Sequence, residues 1–461
     1  MSDLSINLPE RIFIDTSYTI GSGKSSGIER VVRSLIRELG KIGDSGRIPK
    51  PQTVVSHRGK FYAVEKDQIE QFRSFARTQS NVLQAAPDSY KRSAEIVCRL
   101  SGSKRLRKWL LPQPGHLGLF KVPHTMREGI ILNRIARTAK EVLPGKGDLL
   151  ILPDAYWINR LRGSVWPAAA EAREAGALVS TVIYDLIPLT HPHFVGGKRR
   201  DAFREYLIKA VANSDLLVSI SATVQRQLAE FLAESEEYSA GYSATLANYK
   251  LGAELSETKG DVRESVVSLF SGEDKPYLTV ATFDPRKNHS FLLDGFELAW
   301  KQDPAVQLCL VGRIGARCDG LVQRILKHPQ LGKRLHLFDD LSDAELHHCY
   351  RNAKAVIFPS IAEGFGLPIV ESLWHGKKTF ASDTPIHREV GQDDCHYFGL
   401  ESPACLANEL LKWEATGCCE HQPGVAKRQP VGWHESSEEF LSICLDQYCN
   451  QQAALRPVKA A

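Results

Sequence analysis

Short apolar runs alternate along this chain with longer stretches whose apolar residues recur at helical spacing. Arg11 to Asp15 reads as a short buried strand. A Gly/Ser loop runs on to Gly27, after which Ile28, Val31, Val32, Leu35, Ile36 and Leu39 fall on one face of a helix. The unit recurs at Leu149 to Leu152 before Pro153, at Leu178 to Ile183 before Asp185, and at Leu216 to Ile220 before a helix start at Ser221-Ala222-Thr223. Apolar strands alternating with amphipathic helices imply a mostly parallel sheet. Between them, Ala229 to Ala247 is small, polar and acidic and reads as a loop.

The polar stretch Ser271-Gly272-Glu273-Asp274-Lys275 looks like a linker. A fresh series of strands starts at Tyr277 to Ala281 and continues at Val306 to Val311, Leu335 to Phe338, Ala355 to Phe358 and Lys378 to Ala381. The expected architecture is α/β, with two Rossmann-like, doubly wound domains facing each other across a cleft. The first takes residues 1–271 and the second 272–432, with a last helix and tail over 433–461. A length of 461 residues exceeds what one core organises, which agrees with two domains.

Charge changes this picture in one place. The formal net charge is +4, but residues 91–140 hold twelve Lys/Arg against two Asp/Glu, a local +10 that leaves −6 for the remainder. This basic insertion contains Lys104-Arg105-Leu106-Arg107-Lys108-Trp109-Leu110-Leu111, which mixes cations with Trp and Leu as membrane-surface helices do. Peripheral contact with an anionic membrane and a solvated basic face are both open readings. No zinc-finger, RNA-recognition or helix-turn-helix signature accompanies the charge, so no nucleic-acid partner is expected.

The ten cysteines form no Cys-x-x-Cys pair and no Cys/His zinc spacing, which points to reduced thiols and no metal. Met1 to Glu10 does not read as a secretion signal, and the apolar runs are too short to cross a bilayer. The expected location is the cytoplasm, with residues 91–140 available for docking on the inner membrane.

The chemistry concentrates in Phe358-Pro359-Ser360-Ile361-Ala362-Glu363-Gly364-Phe365-Gly366-Leu367-Pro368-Ile369-Val370-Glu371-Ser372-Leu373, a strand, a glycine loop and a helix. Glycines admit a ligand close to the backbone, and a helix start offers unpaired N–H groups with a partial positive charge, so a diphosphate belongs there. Pro368 suits the first helical turn. Glu363 and Glu371 are eight residues apart, which along a helix is about 12 Å and returns them to nearly one side. A glycosidase pair sits about 5 to 9.5 Å apart, so this spacing favours transfer from an elongated nucleotide-sugar over hydrolysis. In Thr282-Phe283-Asp284-Pro285-Arg286-Lys287-Asn288-His289, Arg286 and Lys287 could neutralise charge growing on a departing diphosphate, although exposed Arg-Lys pairs usually face solvent.

A Glu-x7-Glu segment with an internal Gly-Phe-Gly-Leu-Pro resembles the signature of the large retaining glycosyltransferase family 4, of GT-B fold. The resemblance implies Glu363 beside the donor sugar and Gly364, Phe365, Gly366 and Leu367 on the phosphates. Glu371 would bind the ribose, with Arg313 also on the donor side, and Arg286 and Lys287 would hold the diphosphate. Ser25 to Arg33 resembles the family's glycine-rich loop and first helix in the subgroup found in bacterial surface-polysaccharide clusters, which brings Gly27, Ile28 and Arg30 to the phosphates or acceptor. Tyr184-Asp185-Leu186-Ile187-Pro188-Leu189 resembles a cleft-facing His-Asp-Leu-Ile-Pro segment, with Tyr184 where relatives carry His and Asp185 as the acceptor-orienting group. In this fold the helix opened by Trp433-His434 returns to the first domain.

The resemblance further implies a nucleotide-sugar donor, with GDP-mannose suggested by the subgroup. It implies a glycan or polyprenyl-diphosphate-linked acceptor, and no metal or other cofactor. A nucleotide-sugar epimerase or a catalytically silent carbohydrate-binding subunit would share the fold. A more distant reading is a P-loop NTPase, suggested by Gly21-Ser22-Gly23-Lys24-Ser25, but the first glycine of that motif should stand where Tyr18 is.

Overall fold

The computed structural model describes residues 8–22, 27–65, 132–157, 165–234, 243–254, 260–303, 305–315, 317–416 and 429–454. Among these residues two sheets form two domains. The first has eight strands: β1 (Arg11–Asp15), β2 (Gln52–His57), β3 (Lys60–Ala63), β4 (Glu141–Val142), β5 (Asp148–Leu152), β6 (Leu178–Ile183), β7 (Leu216–Ser219) and β8 (Thr245–Asn248). Their order is β4-β3-β2-β1-β5-β6-β7-β8, parallel except where β3 pairs antiparallel with its neighbours.

The second sheet has six: β9 (Tyr277–Val280), β10 (Leu308–Val311), β11 (Leu335–Phe338), β12 (Val356–Phe358), β13 (Thr379–Ser382) and β14 (Cys395–Phe398). Their order is β11-β10-β9-β12-β13-β14. Counted within the domain this is 3-2-1-4-5-6, the doubly wound order whose ligands sit beyond the carboxyl ends of the two strands at the reversal. Here those strands are β9 and β12.

Six helices position the cleft: α1 (Gly27–Asp44), α2 (Gly197–Ala212), α3 (Ala222–Glu234), α4 (Leu367–Trp374), α5 (Pro385–Gly391) and α6 (Trp433–Ala454). Helix α6 lies on the first domain as expected. Trp433, Phe440, Leu441, Cys444 and Tyr448 join its core, the Tyr448 hydroxyl donates to the Gly147 carbonyl at 3.2 Å, and the Trp433 indole donates to that of Glu254 at 2.8 Å.

That core is continuous with the second domain through Phe358, Phe365, Ile369, Val370, Ile386 and Val390. One polar tie is a cap: the Glu389 carboxylate of α5 accepts from the Ala222 and Thr223 amides at 2.8 and 2.7 Å and from the Thr223 hydroxyl at 2.6 Å. An anion thereby meets the positive end of α3 from the opposite domain.

Three expectations change. The stretch before Gly27 is not all loop: Ser17–Ser22 is helical, because Asp154 at the end of β5 accepts from the Tyr18 and Thr19 amides at 3.0 Å each and the Thr19 hydroxyl at 2.6 Å. Tyr18 therefore lies in a buried helical turn, while Gly23, Lys24 and Ser25 of the P-loop reading lie outside the described residues. The boundary at 271/272 falls too late, since helix Glu264–Ser271 buries Val266 and Phe270 against Leu278, Cys309 and Val356 of the second domain. Within Ala229 to Ala247, residues up to Glu234 are helical and Thr245–Asn248 is a strand. Most of the basic insertion, 91–131, lies outside the described residues. Among the described residues no helix is long and apolar enough to cross a membrane.

Candidate active site

The loops leaving β9 and β12 meet at the reversal in the second sheet. After β9, Asp284 caps a tight turn over Pro285–Lys287, its carboxylate accepting from the Arg286 amide at 3.2 Å. After β12, the Ile361 amide donates to the Arg286 carbonyl at 2.8 Å and ties the two loops together. The side chains converge on Glu363: Arg286 donates to one carboxylate oxygen at 2.7 Å and to the Ala362 carbonyl at 3.0 Å, while Lys287 donates to the other oxygen at 2.5 Å. The Lys287 ammonium also lies 4.9 Å from the centre of the Phe358 ring.

Burial and charge oppose each other in this cluster. Burial alone would raise the Glu363 pKa, but the positive charges of Arg286 and Lys287 win and hold it at about 2. Burial lowers Lys287 to about 8, more than the Glu363 charge restores. The result is a fixed anion and a lysine whose charge is sensitive near neutral pH.

Gly364 to Leu367 lead into α4 as the sequence implies. Gly366 has φ 108°, a left-handed conformation that favours glycine, and Pro368 is in the first turn. Glu363 and Glu371 are not one helical face, because Glu363 stands in the loop and α4 begins only at Leu367. Phe365 buries its side chain in the core between the domains, so only its backbone is left to face a ligand.

Glu371 is buried, with one oxygen accepting from Tyr350 at 2.7 Å and the other paired with Arg30 of α1, from the opposite domain. Gly27 opens α1 beside Leu367, and Ile28 packs partly buried against the shared core. Arg313, at the end of β10, accepts from the Phe283 amide at 2.8 Å through its carbonyl and leaves its side chain exposed.

On the first-domain side, Tyr184 turns its hydroxyl inward to donate to the Pro153 carbonyl at 2.6 Å, so it does not take the cleft-facing role that the sequence motif implies. Asp185 accepts from the Ile187 amide at 3.0 Å through one oxygen. Burial raises its pKa against the lowering effect of Arg286, whose charge reaches it across the cleft. Sequence reasoning missed Tyr350, Glu389 and Ser221, whose hydroxyl donates to the Gly364 carbonyl at 2.8 Å. No local signal marks Tyr350 or Glu389, and Ser221 is readable in the chain only as a helix start. Among the described residues no group of three or more His, Cys, Asp or Glu is placed to hold a metal ion.

The chain is similar to known proteins in sequence and fold. Residues 263–414 match the model for glycosyl transferases group 1. The serotype-specific mannosyltransferase WbdA of Escherichia coli is 29% identical over 311 residues, which cover 65% of this chain and 37% of that protein. The chain thus spans little more than a third of that relative's length. The O-antigen chain mannosyltransferase RfbU of Salmonella typhimurium is 25% identical over 211 residues, 45% of this chain and 53% of that one. Among solved structures, Anabaena Alr3699/HepE in complex with UDP and glucose superposes with a TM-score of 0.53 at 14% identity, covering 96% of this chain and 98% of that one. Residues 263–414 are a group 1 glycosyl transferase domain, carried in a chain of GT-B fold.

Proposed function

We propose that this chain transfers a hexose from a nucleotide-sugar to a glycan or lipid-linked acceptor, with retention of configuration, in bacterial surface-polysaccharide synthesis. The observation that carries the reading is the pairing of Arg286 and Lys287 with Glu363 at the β9/β12 reversal, next to the Gly364–Leu367 loop and the start of α4. Cations and amides together make a seat for a diphosphate and stabilise its charge as it leaves. Asp185, with one oxygen on the Ile187 amide, orients the acceptor hydroxyl with the other. The acceptor attacks from the face the diphosphate leaves, and its proton passes to a phosphate oxygen. The relatives named as mannosyltransferases support mannose as the sugar and GDP-mannose as the donor. The basic segment 91–140 supports peripheral docking near a lipid-linked acceptor through its charge alone.

Arg286 and Lys287 supply the positive field that a divalent cation gives other transferases, so the reaction is metal-independent on this reading. The test is thermal stabilisation by a panel of nucleoside diphosphates and nucleotide-sugars in EDTA, where a ligand at 100 times its Kd adds roughly 2.7 kcal/mol. One nucleoside series is expected to stabilise selectively, and Lys287→Ala or Glu371→Ala to abolish the effect. No stabilisation by any of them, or stabilisation and turnover only with a divalent cation, would overturn the reading.

The lysine gives a pH dependence with a definite sign. Its folded pKa of about 8 lies below the ordinary 10.5, so it loses its proton as pH rises through about 8. With it goes a charge that holds the diphosphate. kcat/KM is expected to decline above about pH 8, and Lys287→Arg, which stays protonated, to move that decline upward. An unchanged alkaline limb in the arginine variant would separate the limb from Lys287.

A further inference from the structure

The first sheet also reverses direction, between β1 and β5, and the residues beyond β5 carry an aromatic side chain that nothing so far explains. Pro153 to Tyr156 are pinned: Asp154 caps the turn at Tyr18 and Thr19, and the Tyr156 hydroxyl donates to Asp15 at 2.9 Å. Trp157 follows at once. Its indole packs against three rings at tilted or edge-on angles, with centroids 4.9 Å away at Tyr206, 5.3 Å at Phe203 and 6.4 Å at Tyr184. Tyr206 and Phe203 belong to α2, and Tyr184 ends β6. The ring is only partly buried, while all three residues it packs against are buried.

The indole N–H is the second observation. Trp300 and Trp433 donate theirs to main-chain carbonyls, at 2.7 and 2.8 Å. Trp157 makes no such bond among the described residues. A rigid aromatic face with a donor at its edge matches a pyranose ring, which has a C–H face bordered by hydroxyls. Asp185 follows Tyr184 in the chain, and its charge adds, after burial, to what raises the Tyr206 hydroxyl's pKa. Across the cleft stand Arg286, Lys287 and Glu363, whose charges all act on Asp185.

We propose that Trp157 is the platform on which a pyranose ring of the acceptor stacks, beside the Asp185 carboxylate that receives its reacting hydroxyl. This rests on the glycosyl-transfer reading and assigns the acceptor end of that site. The rings packed against Trp157 keep it from folding away when no sugar is present, which lowers the ordering cost of binding.

The test is saturation-transfer NMR of the full chain with the methyl α-glycosides of mannose, glucose and galactose, together with nucleoside diphosphate binding by calorimetry. At least one glycoside is expected to receive saturation on its ring C–H protons. In Trp157→Ala its Kd is expected to rise about five- to ten-fold, with partial recovery in Trp157→Phe and unchanged nucleoside diphosphate binding in both. The proposal is overturned if no glycoside binds the wild type, if Trp157→Ala binds it equally well, or if both variants lose nucleoside diphosphate binding as well, which marks a structural role. Wild-type protein that binds glycosides but no nucleoside diphosphate would instead overturn the transferase reading and leave the platform standing.

Discussion

Glu363→Ala is expected to lower kcat by roughly a hundred- to a thousand-fold, the scale seen when a preorganised electrostatic group is removed from a transition state. The size follows from what the carboxylate holds. It is the shared partner of Arg286 and Lys287, and its own pKa of about 2 keeps it charged at any working pH. Without it, burial and the Arg286 charge are left to act on Lys287, whose pKa of about 8 already depends on Glu363 for support. The lysine then falls toward neutrality at pH 7, so one substitution removes two charges from the seat of the diphosphate.

Two further variants separate these effects. Glu363→Gln keeps an acceptor in place but loses the charge, so it is expected to fall nearly as far as alanine. Lys287→Ala combined with Glu363→Gln is expected to cost clearly less than the sum of the single losses, because both remove the same lysine charge. Steady-state kinetics at fixed pH measures all three. A Glu363→Ala enzyme within about three-fold of wild type would take Glu363 out of the reaction.

The motifs that were readable in the chain are those whose partners are close in sequence. The glycine loop between β12 and α4 and the cation pair after β9 each sit within one strand-loop-helix unit, so residue type and local spacing declare them. The two loops come together because the doubly wound order places β9 beside β12. What stayed hidden depends on contacts between distant segments. Ser221 and Gly364 are 143 residues apart, Thr223 and Glu389 166, and Arg30 and Glu371 341.

The same cause explains the errors. The Gly/Ser-rich stretch before Gly27 reads as loop until Asp154, 136 residues from Tyr18, caps its first turn. Helix Glu264–Ser271 reads as part of the first domain because the polar residues behind it resemble a linker, yet its Val266 and Phe270 find their partners in the second. Tyr184 shows the limit of motif transfer. The resembled motif implies a cleft-facing side chain at this position, but the phenol reaches the Pro153 carbonyl and packs inward.

Gly364→Ala is expected to separate closing the cleft from binding the donor, and its effect on turnover should be second only to that of Glu363. This glycine is needed for close approach, not for a left-handed backbone, since its φ is not among the positive ones. A Cβ there would collide with the Tyr184 carbonyl oxygen and lie 3.1 Å from the Asp185 Cβ, so the added methyl pushes directly on the opposite domain. The Ser221 hydroxyl would lose its 2.8 Å bond to the Gly364 carbonyl as the two surfaces part. Alanine keeps the amide N–H, so the phosphate seat within the second domain survives, and nucleoside diphosphate affinity is expected to stay within about three-fold of wild type. Asp185, by contrast, is displaced from the donor's reacting end, and a misplacement of about 1 Å costs on the order of a hundred-fold in rate. The expected signature is therefore a fall in kcat of about ten- to a hundred-fold with nearly unchanged nucleotide binding, larger in Gly364→Val and accompanied by a larger radius of gyration in small-angle scattering. Glu371→Ala should show the opposite division, weakening the donor first, because Glu371 stands on α4 beside the phosphate loop, with Tyr350 holding one oxygen and Arg30 of the first domain the other. If Gly364→Ala instead lost nucleotide binding and turnover together, the loop would be acting only as a phosphate seat and domain contact at Tyr184 would not control the chemistry.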